Sequence, residues 1–122
     1  MSYDDSNIFA RILRGEIPCD KVFEDDHVLA FRDINPLTAV HILVIPKGAY
    51  VSMDDFSAAA SDAEIVALNR AVGAIARDAG LVASGYRTLV NNGPAAHQEV
   101  PHLHIHIFGG QPLGRMIKPP RA

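Results

Sequence analysis

Apolar and polar positions alternate strictly over residues 101–108, which read Pro-His-Leu-His-Ile-His-Ile-Phe. Period-two alternation of this length predicts a β-strand whose successive side chains leave on opposite faces. Leu103, Ile105 and Ile107 then enter a core, while His102, His104 and His106 line the other face. Near the start, Ile8, Phe9, Ile12 and Leu13 share one face of a short helix, with Ser6 placed to cap it and Gly15 to end it. Residues 22–24 and 27–32 read as two strands joined tightly through Asp25-Asp26, a hairpin. Pro36 cannot donate to a ladder and breaks that pairing. Residues 41–45 form a continuous apolar run closed by Pro46, the pattern of a central strand buried on both faces.

Residues 50–60 show no period and read as loop with some helical turn. Ser61 and Glu64 form a capping box. Behind them Ile65, Leu68, Val72, Ile75, Ala76 and Ala79 make a stripe of period 3.6, and Gly80 is the stop signal. This is the longest helix, and its stripe must cover one face of a sheet. Residues 87–91 predict a fourth strand, Asn92-Gly93-Pro94 a turn, and the histidine strand is the fifth, ending at Gly109-Gly110. The tail, residues 111–122, has no periodicity. Five strands with short connections, one long helix and one short one predict an α+β fold built on a five-stranded antiparallel sheet. Helices this few cover one face, leaving the other face or an edge for a partner. A homodimer, its two sheets joined into a larger continuous one, is therefore expected.

Composition narrows the setting. The chain has 122 residues, enough for one domain with one core of a few elements. A net charge of −3 leaves no basic stripe for nucleic acid or an anionic membrane, so a phosphate site must rely on local groups. The single cysteine, Cys19, excludes an internal disulfide and fits a reducing compartment. The acidic first residues lack the regions of a signal peptide, and no apolar run approaches the ~20 residues of a membrane span. The expected location is the cytoplasm.

Three aligned imidazoles need a chemical reason. A solvated strand face ordinarily carries Thr, Lys or Glu. In a metal site, His102 and His106 would stand roughly 13 Å apart at Cα, so two of the three could share an ion but not all three. The remaining candidate ligands show no ligand spacing. The third reading is a row of histidines laid along an extended anion, one attacking while its neighbours orient and donate protons, and this fits best.

At residues 102–108 the order His-φ-His-φ-His-φ-φ, with φ apolar, resembles the signature of the histidine triad (HIT) family. The likeness continues in Ile8-Phe9, Ile12-Leu13-Arg14-Gly15-Glu16-Ile17-Pro18, Phe23-Glu24-Asp25-Asp26, Leu29-Ala30-Phe31-Arg32-Asp33-Ile34 and Leu43-Val44-Ile45-Pro46-Lys47. Gly85-Tyr86-Arg87, Val90-Asn91 and Gln98 extend it, so that it spans about residues 7–110 and is similar to the nucleotide-binding branch. The resemblance implies a homodimeric purine-nucleotide phosphoramidase. Such an enzyme splits the P–N bond of an adenosine phosphoramidate, or an aminoacyl adenylate, and releases AMP. His104 attacks the α-phosphorus to form a covalent nucleotidyl-imidazole that water hydrolyses. His106 contacts a phosphoryl oxygen and helps protonate the amine. The carbonyl of His102 fixes the tautomer of His104, and its ring braces the site. No cofactor is implied. The Cys-x-x-Cys of the zinc-binding subset is replaced here by Asn7 and Ala10, so no metal is expected.

The resemblance also assigns substrate contacts. Asp33 accepts the ribose hydroxyls, a bidentate task suited to a carboxylate; its bland role is to stabilise a turn. Ile17, Phe31, Ile34 and Leu43 form the walls around the base, Asn91 contacts the phosphate or leaving group, and His41 faces the triad. Two positions depart from the branch, which commonly has Gly and then, two residues on, Ser beside the phosphate. Here these are His97 and Glu99. A carboxylate repels a phosphate unless it points away or contacts a cation or the amine, so the serine's role does not transfer to Glu99. The chain contains no tryptophan, whereas familiar eukaryotic members end with one. Two rival functions remain: a diadenosine polyphosphate hydrolase, with Gln98 orienting its substrate, and a nucleotide-binding regulatory module.

Overall fold

The computed structural model describes residues 3–116. In chain order it contains α1 (Ile8–Leu13), β1 (Lys21–Glu24), β2 (Val28–Arg32), β3 (Val40–Pro46), α2 (Met53–Ala59), α3 (Asp62–Asp78), β4 (Arg87–Leu89), a 3₁₀ turn (Pro94–Ala96) and β5 (Ile105–Gly109). The strands form one antiparallel sheet in the order β1-β2-β3-β5-β4. The expected α+β architecture is the observed one. β3 lies at its centre, with residues 41–46 all buried, as a fully apolar run requires.

Each sheet face has its own core. On one side α2 and α3 bury Phe56, Leu68, Ala71 and Ile75 against Val28, Ala30, Ile42, Val44, Leu103, Ile105 and Ile107. Residues of opposite parity, Leu29, Phe31, Leu43 and Ile45, form the second cluster with Phe9 of α1, flanked by Ile12, Leu13, Cys19 and Val100. Cross-strand pairing places Leu43 opposite His106 and His41 opposite Phe108. The histidines therefore share this second face with an aliphatic floor.

Several expectations change. Helices cover part of both faces, because α1 packs beneath the sheet instead of beside it. Its cap is Asn7, whose Oδ1 accepts the Ala10 N–H at 2.9 Å, while the Ser6 hydroxyl turns to Asp4. Residues 53–59 form a complete helix with its own capping box, Ser52 and Asp55, and one buried anchor, Phe56. In α3 the buried positions include Ala71, and Ala79 is an exposed C-cap outside the stripe. β4 stops at Leu89, and β5 begins at Ile105, so His102 and His104 lie before the ladder. The tail is fixed as far as Gly114, whose carbonyl accepts from Arg87 at 2.5 Å, and Gln111 accepts the Ala39 N–H at 2.8 Å. Residues 117–122 lie outside the described residues.

Candidate active site

The peptide joining His102 to Leu103 sets the geometry. Its N–H donates to the Tyr50 carbonyl at 2.8 Å, and its carbonyl accepts from His104 Nδ1 at 2.7 Å. A trans peptide points these two groups in opposite directions, so anchoring one side aims the other. Because a carbonyl can only accept, His104 must carry its proton on Nδ1, which leaves a lone pair on Nε2. The Phe9 ring meets the His104 ring edge-on at 5.0 Å and holds it in place.

A second backbone group decides the opposite tautomer two residues on. The Leu37 N–H donates to His41 Nδ1 at 3.2 Å, so the neutral His41 ring is protonated on Nε2. That Nε2–H donates to His106 Nδ1 at 2.9 Å, with Asp33 Oδ2 3.5 Å away. His106 therefore holds its own proton on Nε2. That atom is buried and has no hydrogen-bond partner among the described residues. Phe108 stacks on the His106 ring with an interplanar angle of 6°. The His104 and His106 centroids are 5.0 Å apart. One face thus presents a bare lone pair beside an unspent N–H donor.

All four rings are held neutral. Burial lowers the pKa of His41, His102 and His104 from the usual histidine value. For His106, burial and then the neighbouring His104 and His41 push it down to about 4. A neutral imidazole is the nucleophilic form.

Two cavities meet at this face. The larger, about 640 Å³, has walls that include Ile17, Phe31, Ile34 and Leu43. The smaller, about 390 Å³, contains His41, Asn91, His97, His104 and His106. Phe9, Asp33, Asn35, Leu43, Glu99 and Val100 line both, so the cavities are continuous. An apolar slot opens through a carboxylate into a histidine cleft.

The structure sorts the residues singled out in the sequence. Ile17, Phe31, Leu43, Asp33, Asn91, His41, His104 and His106 all reach these cavities. Ile34 is 92% exposed and forms a lip, not a buried wall. Glu99 sits at the mouth, where Oε1 accepts from His97 Nε2 at 3.0 Å, so the carboxylate faces outward. Gln98 does not reach in. Its Nε2 donates to the Val51 and Val100 carbonyls, and its Oε1 accepts the Gly93 N–H, so the amide is spent on bracing the loop. His102 is fully buried behind His104 and lines neither cavity. Asp33 fills its turn-stabilising role, since Oδ1 accepts the Asn35 N–H at 2.8 Å, while Oδ2 points toward His41. Sequence reasoning missed Phe9 as a site residue and missed Tyr3 and Leu37 entirely, because each meets its histidine only through tertiary folding.

Asp33, His41 and His106 also bring three ligand atoms within 4.8 Å of one another, a grouping that sequence spacing did not reveal. Ligation through His41 Nε2 would move its proton to Nδ1, against the Leu37 N–H. The hydrogen-bond pattern thus suits a hydrogen-bond donor at His106 Nε2 better than a cation.

A model of the HIT domain matches residues 14–113. An uncharacterised 13.2 kDa HIT-like protein of Azospirillum brasilense is 66% identical over 95% of each chain. The purine nucleoside phosphoramidase of Escherichia coli is 41% identical, covering 93% of this chain and 94% of its own. Among solved structures, a histidine triad protein of Clostridium difficile superposes with a TM-score of 0.81 at 40% identity, over 93% of this chain and 98% of that one. A HIT family hydrolase of Clostridium thermocellum gives 0.84 at 35% identity, over 94% and 99%.

Proposed function

The chain belongs to the HIT domain family, and from that premise we propose that it is a purine-nucleotide phosphoramidase working through a covalent intermediate on His104. The observation that carries this reading is the pair of opposed tautomers: a lone pair on His104 Nε2 beside a proton on His106 Nε2. The His104 lone pair attacks the α-phosphorus of an adenosine phosphoramidate and the P–N bond breaks. His106 Nε2–H donates a hydrogen bond at the scissile P–N bond, and the amine departs with a proton taken from solvent water. Water then attacks the nucleotidyl-histidine, the bond from phosphorus to His104 Nε2 breaks, AMP leaves with the new P–O bond, and the water's proton goes to solvent. The covalent route divides one hard displacement into two easier ones. An aminoacyl adenylate, whose leaving group is a carboxylate, would enter by the same attack.

In this reading the base occupies the slot between Ile17, Phe31, Leu43 and the Ile34 lip. Asp33 accepts the ribose hydroxyls and Asn91 meets the phosphate, while Glu99 lies toward the leaving group. His102 acts through its carbonyl. The protein works as a homodimer in the cytoplasm; among the described residues no helix is long and apolar enough to cross a membrane. The phosphoramidase name of the Escherichia coli relative supports the choice of bond. The rival diadenosine polyphosphate activity loses its support, because the Gln98 amide is committed to backbone groups.

The test is rapid-quench intact-protein mass spectrometry with an adenosine phosphoramidate. Wild type should show an adenylylated species, and His104→Ala should show none and lose turnover. If wild-type turnover is too fast for an adduct to accumulate, His106→Ala should trap it, with the rate lowered about 10²–10⁴-fold. Binding of AMP without turnover of any phosphoramidate would make the protein a binding module and overturn the enzymatic reading. Preference for a diadenosine polyphosphate would overturn the choice of bond.

A further inference from the structure

The backbone carbonyl that sets the nucleophile's tautomer belongs to His102, whose own ring has no access to the cavities. That ring is fully buried, yet both of its nitrogens are spoken for. Nε2–H donates to the Pro46 carbonyl at 2.8 Å, where β3 ends. A carbonyl only accepts, so Nδ1 is the acceptor, and it receives the hydroxyl of Tyr3 at 2.5 Å. The Tyr3 ring also stands edge-on to the imidazole, with centroids 5.6 Å apart.

We propose that Tyr3 is a positioning residue: its hydroxyl locks the buried His102 ring between the N-terminal segment and the end of β3, and so holds the carbonyl that orients His104. The inference rests on His104 being the nucleophile, but the lock can be observed without turnover. Residues 102–104 precede the β5 ladder, so strand pairing does not fix this peptide. Its restraints are the Tyr50 carbonyl on one side and the His102 ring on the other. Without the phenol, a buried ring nitrogen is left unpaired, which is costly enough to favour another ring orientation. Burial raises the Tyr3 pKa, so the hydroxyl keeps its proton over the working range.

Tyr3→Phe removes one oxygen and keeps the edge-on packing. In protein labelled with ¹⁵N-histidine, the His102 Nδ1 resonance should move toward that of a free lone pair. The kcat for an adenosine phosphoramidate should fall about fivefold, the loss of roughly one hydrogen bond's orientation, while the affinity for AMP stays unchanged. In a His102→Ala background, which keeps the carbonyl but has no ring to lock, Tyr3→Phe should have no further effect. Unchanged His102 resonances would overturn the proposal, whether or not the protein proves to be a phosphoramidase. Equal losses of kcat with and without the His102 ring would also overturn it, because Tyr3 would then act by another route.

Discussion

His97 has φ 58° and ψ 46°, and among the described residues it is the one non-glycine with positive φ. A side chain in this left-handed region costs about 1–2 kcal/mol, a cost that glycine does not carry. The imidazole gains only an exposed hydrogen-bond contact with Glu99, a surface interaction of small worth. His97→Gly should therefore raise stability by up to about 1 kcal/mol, after the extra freedom glycine gives the unfolded chain. Urea denaturation measures this, and a loss of stability would mean that the Glu99 contact outweighs the strain. The departure at position 97 was visible in the sequence; its left-handed backbone was not, because φ belongs to the folded loop. His104 and His106 were readable for a similar reason in reverse. Alternation alone puts them on one face, whereas Tyr3 reaches His102 across a separation of 99 residues.

α1 shows how a small element reaches the chemistry. Asn7 satisfies the free N–H of Ala10 at its start, and two residues later Phe9 packs against the rings of both His104 and His102. Asn7→Ala should cost about 1 kcal/mol. It should lower kcat as well, since fraying the first turn loosens Phe9. Thermal denaturation and steady-state rates check the two effects, and a destabilised variant with wild-type kcat would show that Phe9 does not need the helix. The helix itself was clear from its apolar face, but Ser6 and Asn7 are both competent caps and only the tertiary path chooses between them. α2 read only as loop with some helical turn because its seven residues bury a single side chain, Phe56, and one anchor makes no period. The histidine strand was overextended at its start for a related reason. An extended chain alternates its side chains whether or not it is paired, so the pattern over 101–108 could not reveal that the ladder begins at Ile105.

Three buried histidines and the half-buried His106 couple the whole fold to pH. Each has a lowered pKa, so each binds a proton more readily in the unfolded chain than in the folded one. Their stabilising contribution is complete above the unfolded value of 6.5 and is lost as pH falls toward the folded values, about 4 for His106. The urea midpoint should be flat above neutrality and should drop between pH 6.5 and 4. His106→Asn should flatten part of that slope even if it lowers the midpoint overall. An equal slope in both proteins would assign the acid sensitivity elsewhere.

The expectation of a dimer needs a different argument from the one the sequence offered. An uncovered sheet face is not available, because α1 and its surroundings occupy much of the second face. What remains are the two sheet edges, β1 and β4, of which β4 is three residues long and paired only with β5. Nearby in the chain stand exposed apolar side chains, Val82 and Tyr86 before β4, with Val66 exposed on α3. A free edge beside apolar surface is the arrangement that a second copy can extend. Sedimentation at micromolar concentration should give a dimer, and Val82→Glu should shift it toward monomer by placing a charge in the contact. A wild-type monomer would remove the joined-sheet assembly altogether. It would leave the histidine site to act with what one chain supplies, because every group placed there so far belongs to the same chain.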